Sequence, residues 1–109
     1  MTLVFMHFLF GIVNVVVSYV FKKQYPKEIN TYFGYRTKRS MASPERWIMA
    51  NRYSSGLLFK SSLATIVFQC VACSIFALDT AIILTIIFWI AAILFTSLKT
   101  EQLLKKSFS

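Results

Sequence analysis

Thr80-Ala81-Ile82-Ile83-Leu84-Thr85-Ile86-Ile87-Phe88-Trp89-Ile90-Ala91-Ala92-Ile93-Leu94-Phe95-Thr96-Ser97-Leu98 contains no charged side chain. A bilayer core is crossed by a helix of about 20 mainly apolar residues, so this run is long enough to span. In a chain of 109 residues that is 57% hydrophobic, it places the protein in the membrane class. Upstream, residues 56–77 form a second apolar run with one early charge, Lys60. Residues 2–21 form a third, without any charge. The expectation is an all-α integral membrane protein: one membrane domain over residues 1–109, with transmembrane helices at about 2–21, 56–77 and 80–98. A loop at 22–54 and a tail at 99–109 complete it.

The first run is not a secretory signal by pattern. No basic region precedes it and no small-x-small cleavage site follows, so a retained helix is expected. Charge then sets the orientation. Of twelve Lys and Arg residues, Lys22, Lys23, Lys27, Arg36, Lys38, Arg39, Arg46 and Arg52 fall in the first loop; Lys99, Lys105 and Lys106 fall in the tail. The N-terminus and the link around Asp79 carry none. The positive-inside rule therefore puts the N-terminus outside and the C-terminus in the cytosol of a bacterial cytoplasmic membrane. Topology accounts for the net charge of +8, and no nucleic-acid partner is expected. Membrane lipids are the partners this charge implies, through anionic headgroups.

The basic loop reads as ordered. Tyr25-Pro26 stops the first helix, because the residue before proline avoids the helical region. Gly34 stands where a tight turn or close backbone approach is needed. Ser43-Pro44-Glu45 gives a helix start: a serine cap, proline at the first position, an acid in the first turn. From Pro44 no strong breaker occurs before Leu78-Asp79, so one long helix is expected to extend from the loop through the membrane, with Gly56 as its bend point. Trp47, Ala50 and Asn51 share a face at i, i+3 and i+4. Trp47 is expected as an interfacial anchor, and Asn51 as a hydrogen-bond partner of the loop or a neighbouring helix. Asp79 reads as the cap of the third helix.

Each spanning run carries a polar or small stripe. His7, Gly11, Asn14 and Ser18 lie on the first, Ser62, Thr65, Gln69 and Cys73 on the second, Thr85, Ala92 and Thr96 with Trp89 on the third. Small residues and side-chain hydrogen bonds hold membrane helices together, so these stripes predict an antiparallel bundle. Counting depth from helix midpoints pairs Asn14 with Ser62 and Thr65, and Gln69 with His7 and Gly11. Cys70 and Cys73 have C-x-x-C spacing within an apolar helix, far from the helix N-terminus that redox pairs use, and read as packing. One histidine and four acids assemble no nucleophile with base, carboxylate pair or metal cluster. No enzyme activity, metal or cofactor is expected.

The polar segment Ile29-Asn30-Thr31-Tyr32-Phe33-Gly34-Tyr35-Arg36-Thr37-Lys38-Arg39-Ser40-Met41 carries a resemblance. With Pro26 before it and Trp47, Ala50 and Asn51 after it, it resembles the signature of the SdpI-type family of small bacterial membrane proteins. Membership implies immunity to a membrane-active peptide toxin, exerted by binding, and a relay to a cytosolic repressor. The resemblance makes Asn30, Gly34, Tyr35, Arg36, Thr37, Ser40, Met41, Trp47 and Asn51 the expected binding residues. Arg36 is singled out because its planar fork can hold a phosphate or carboxylate at two points. The bland reading has it capping carbonyls or pairing with Glu28 or Glu45. Ala42-Ser43-Pro44-Glu45 departs from the family's usual Lys-Asn-Glu-Glu, which keeps the helix start and loses a basic contact. The competing expectation is a small structural subunit of a larger membrane protein complex. A homo-oligomer through the third helix is compatible with either.

Overall fold

A computed structural model of the chain describes residues 1–108. Three helices, α1 (Thr2–Lys23), α2 (Pro44–Ile75) and α3 (Leu78–Phe108), build a rod of 48 × 23 × 18 Å. All three are long and apolar enough to cross a membrane. A helix satisfies its own backbone donors and acceptors, which hydrocarbon requires of any spanning segment.

The ends follow local chemistry. α1 stops at Lys23 with the Gln24 N–H bonded to the Val20 carbonyl at 2.8 Å, immediately before Tyr25-Pro26. α2 opens on Ser43, whose Oγ accepts the Arg46 N–H at 3.2 Å, with Pro44 at the first position and Glu45 in the first turn. It then runs unbroken for 32 residues, through Gly56. The reversal comes at Phe76, which turns extended, and Ala77, whose carbonyl accepts the Ala81 N–H at 2.9 Å. Asp79 therefore lies inside the first turn of α3 rather than capping it, and its Oδ1 accepts the Thr80 N–H at 2.8 Å. There a carboxylate still complements the positive helix end.

α3 does not end near Leu98. The expected tail continues as helix to Phe108. No glycine or proline follows Leu98, and the inward stripe goes on: Thr96, Thr100 and Leu104, four residues apart, are all buried. Those last turns pack against the loop and α2, so tertiary contact extends the helix beyond the apolar run.

α2 is the central element. It packs along both α1 and α3, which scarcely touch each other. The interior is small and polar: Ser54, Ser62, Thr65, Gln69, Thr85 and Thr96 are buried beside Ala50, Ala72 and Ala81. Leu3, Val17, Val67, Ile83, Leu94 and Leu98 face outward. Bulky aliphatics gain nothing by leaving lipid tails, whereas small residues allow close helix approach.

Candidate functional site

The signature residues gather at the end of the bundle where α1 finishes, α2 begins and α3 finishes. Asn30 shapes the first bend. Its Oδ1 accepts the N–H groups of Tyr32 and Phe33, both at 2.9 Å, while its Nδ2 donates to the Glu28 carbonyl at 3.2 Å. This is the asparagine turn, in which a side chain stands in for backbone. Arg36 donates from Nε to the Asn30 carbonyl at 3.0 Å and is otherwise exposed. It caps a carbonyl; neither Glu28 nor Glu45 pairs with it, and the one ion pair among the described residues joins Arg39 and Glu101 at 4.0 Å.

Gly34 follows at φ +107°, in the region open to glycine. A Cβ there would lie 2.7 Å from Asn51 Oδ1, 2.9 Å from Pro26 Cγ and 3.3 Å from Trp47 Cη2. The close approach lets α2 hold the loop. Asn51, fully buried, accepts the Tyr35 N–H on Oδ1 at 2.7 Å and donates from Nδ2 to the Trp47 carbonyl at 2.9 Å. Trp47, also fully buried, donates its indole N–H to the Pro26 carbonyl at 2.9 Å. Trp47 is thus an inward clamp on the loop and not an interfacial anchor. Its i+4 spacing to Asn51 aims both side chains at one strip of loop backbone.

Thr37 and Ser40 brace each other: the Thr37 N–H donates to Ser40 Oγ at 2.8 Å, and the Ser40 N–H to Thr37 Oγ1 at 3.1 Å. Ser40, fully buried, starts a single 3-10 turn (Ser40–Ala42), and the N–H of half-buried Met41 closes on the Thr37 carbonyl at 3.0 Å.

The loop reaches α3 through Tyr35. Its hydroxyl lies 3.0 Å from the Ser97 carbonyl and 3.1 Å from Glu101 Oε2, either of which can accept its proton. Thr37 Oγ1 donates to the same carboxylate oxygen at 3.1 Å. Burial, and then the bond to Glu101, hold the Tyr35 hydroxyl well above the usual tyrosine range. Across the loop, the Arg52 hydrogen bond pulls Tyr25 below that range, and Lys27 sits 3.2 Å from the Tyr25 ring centre. Glu101 was absent from the sequence-derived set. Its signal was available: it is the one acid in a basic tail, next to Thr100 on the inward stripe.

Within the spanning region the pairing differs in part from the depth count. Gln69 donates to the His7 carbonyl at 2.7 Å, lies 3.4 Å from His7 Nδ1, and packs its Oε1 against Gly11. Asn14 does not meet Ser62 or Thr65 by hydrogen bond. Its Oδ1 accepts the Trp89 indole N–H at 2.9 Å, and its Nδ2 donates to the Phe10 carbonyl at 2.8 Å. Ser62 instead pairs with Ser18 at 2.8 Å, and Thr65 bonds the Ser61 carbonyl of its own helix. An indole N–H in hydrocarbon needs an acceptor, and Asn14 stands on the edge of α1 nearest α3. Both cysteines are free; Cys70 is exposed and so does not pack in the bundle, whereas Cys73 is half-buried.

Three spanning helices joined by polar stripes, with a basic loop clamped across one end, define a small multi-pass membrane protein. The chain belongs to the SdpI/YfhL protein family, whose model matches residues 27–99. That span covers the loop from Lys27 onward, α2, and α3 as far as Lys99, and leaves α1 and Gln24-Tyr25-Pro26 outside. The chain is also 35% identical over 95 residues to the uncharacterized protein YfhL of Bacillus subtilis (strain 168), covering 87% of this chain and 82% of that one. No solved structure matches it.

Proposed function

We propose that the chain is an SdpI-like immunity protein of a bacterial cytoplasmic membrane, protecting against a membrane-active peptide toxin by binding rather than by catalysis. In this reading the N-terminus is outside and the signature end faces the cytosol, as the distribution of lysine and arginine favours. The observation that carries the reading is the clasp from Tyr35 to Ser97 and Glu101, within a family whose resemblance implies immunity. The clasp couples the basic loop to α3, so that a toxin meeting the spanning helices shifts the surface offered to a cytosolic regulator. Most signature residues then act by holding that surface in shape. Arg36 and the neighbouring cations remain exposed to make the contact.

The test is survival of a sensitive bacterial host exposed to graded peptide toxin, with and without the protein. Protection that weakens in Glu101→Ala at unchanged membrane abundance supports the reading, and absence of protection by the wild-type chain defeats it. The alternative, a structural subunit of a larger complex, draws on the apolar cleft of about 630 Å³ between α1 and α3 near Phe21, Leu58 and Ile93. Co-purification of a stoichiometric membrane partner from native nanodiscs would favour it.

A further inference from the structure

On the other side of α2 lies a second groove, of about 640 Å³, between the first half of α2 and the last turns of α3. Its walls are apolar, with Met49 and Leu57 facing Leu103 and Phe108. Two cations line it, Arg52 and Lys60, eight residues apart on one face of α2 and so separated by about 12 Å of rise. Gly56 lies midway between them, and a Cβ built there would meet nothing within 4 Å. No side chain therefore fills the space between the two charges.

Neither cation is neutralised. Lys60 forms no hydrogen bond or ion pair among the described residues, although it belongs to the apolar part of α2. Arg52 uses only its Nε, toward the Tyr25 hydroxyl at 3.3 Å. The one acid lining the groove, Glu45, is seven residues before Arg52, about two turns toward the start of α2. A lysine at this depth extends its stem along apolar surface and carries its ammonium toward the headgroups. The groove thus combines a positive pair with an opening between its members, and the same side of α2 continues from Lys60 into exposed Leu63 and Val67 within the spanning part.

We propose that this groove holds one anionic phospholipid, its phosphate between Arg52 and Lys60 and an acyl chain running from Leu57 toward the bilayer centre along exposed Leu63 and Val67. The site is separate from the signature clasp and does not depend on the immunity reading.

The experiment is native mass spectrometry of protein taken from vesicles of equal phosphatidylglycerol and phosphatidylcholine, counting lipids that survive detergent removal. One phosphatidylglycerol should remain on the wild-type chain in preference to phosphatidylcholine. Arg52→Gln and Lys60→Gln should each lower its retention about fivefold, the effect of one cation at a membrane surface. Lys105→Gln, outside the groove, should leave it unchanged. Gly56→Leu should fill the notch and abolish the adduct while helical content by circular dichroism is kept. Equal retention of the two lipids, or unchanged retention in both cation variants, would overturn the proposal. So would an equal loss in Lys105→Gln, which would mark diffuse surface charge. Displacement by millimolar glycerol phosphate would also overturn it, because the phosphate alone would then be the ligand.

Discussion

Gly34→Ala tests whether the signature loop is held by close backbone approach. The added methyl would meet Asn51 Oδ1 at 2.7 Å and Pro26 Cγ at 2.9 Å, on a backbone at φ +107°. A non-glycine residue forced into such a region costs about 1–3 kcal/mol. Overpacking against buried Asn51 and half-buried Pro26 adds about 1–3 kcal/mol. The Asn51 and Trp47 bonds that hold this strip contribute only about 0.5–1.5 kcal/mol each. The variant loop should therefore leave its clamp while the helices stay packed. The assay is limited trypsin digestion in nanodiscs, read at Arg36, Lys38 and Arg39. Cleavage by way of a rapid opening follows the open population, so even 2 kcal/mol should speed it about 30-fold. Gly56→Ala is the control, because its Cβ meets nothing and the change should firm the helix by about 0.5–1 kcal/mol. A Gly34→Ala cleavage rate within threefold of wild type would refute the clamp.

Tyr35→Phe should destabilise the protein by about 1 kcal/mol, the worth of a bond to a charged acceptor reduced because Glu101 is partly exposed. The same variant carries a pH signature. The Tyr35 hydroxyl is raised in the folded state, so its contribution is complete below the unfolded value of 10.0 and fades as pH rises further. Thermal unfolding between pH 8 and 11 should show the wild-type advantage over Tyr35→Phe shrinking above about pH 10. Trp89→Phe should cost about 0.6 kcal/mol by removing the one hydrogen bond from α3 to Asn14, measured by unfolding in mixed dodecyl sulfate micelles. In the same assay Gly11→Val should cost about 1–3 kcal/mol, because its Cβ would strike Gln69 Oε1 and lie 3.0 Å from Ile66 Cγ1.

Much of the architecture was legible because the bilayer imposes a simple code. Apolar runs gave three spanning helices, and Ser43-Pro44-Glu45 gave the start of the second at its observed residue. The end of α3 was less legible. Thr100 and Leu104 continue an inward stripe, but hydropathy ends at Lys99, and only contact with the loop and with α2 makes the last turns worthwhile. Trp47 shows a second limit. Tryptophan suits the headgroup region by composition, and nothing local says that its indole will turn inward to the Pro26 carbonyl. Asn14 shows a third. Depth counting ranks neighbours along the membrane normal but is blind to rotation about each helix, which gave Asn14 to Trp89 and Ser62 to Ser18. The signature residues were visible as a set. The bonds that tie the loop to the helices were not, because Tyr35 meets Asn51, Ser97 and Glu101, and Pro26 meets Trp47, across 16 to 66 residues of sequence.

The clasp from Tyr35 to α3 also orders events during synthesis. Asn51 and Trp47 leave the ribosome soon after the loop and can catch it early. The acceptors for the Tyr35 hydroxyl are encoded 62 and 66 residues later, at Ser97 and Glu101. Throughout translation of α2 and most of α3 the loop is half-fastened, with Arg39 still lacking its partner Glu101. The signature is among the first polar features to be made and the last to set. A nascent chain halted before Ser97 would carry every residue of the motif and still lack its finished surface.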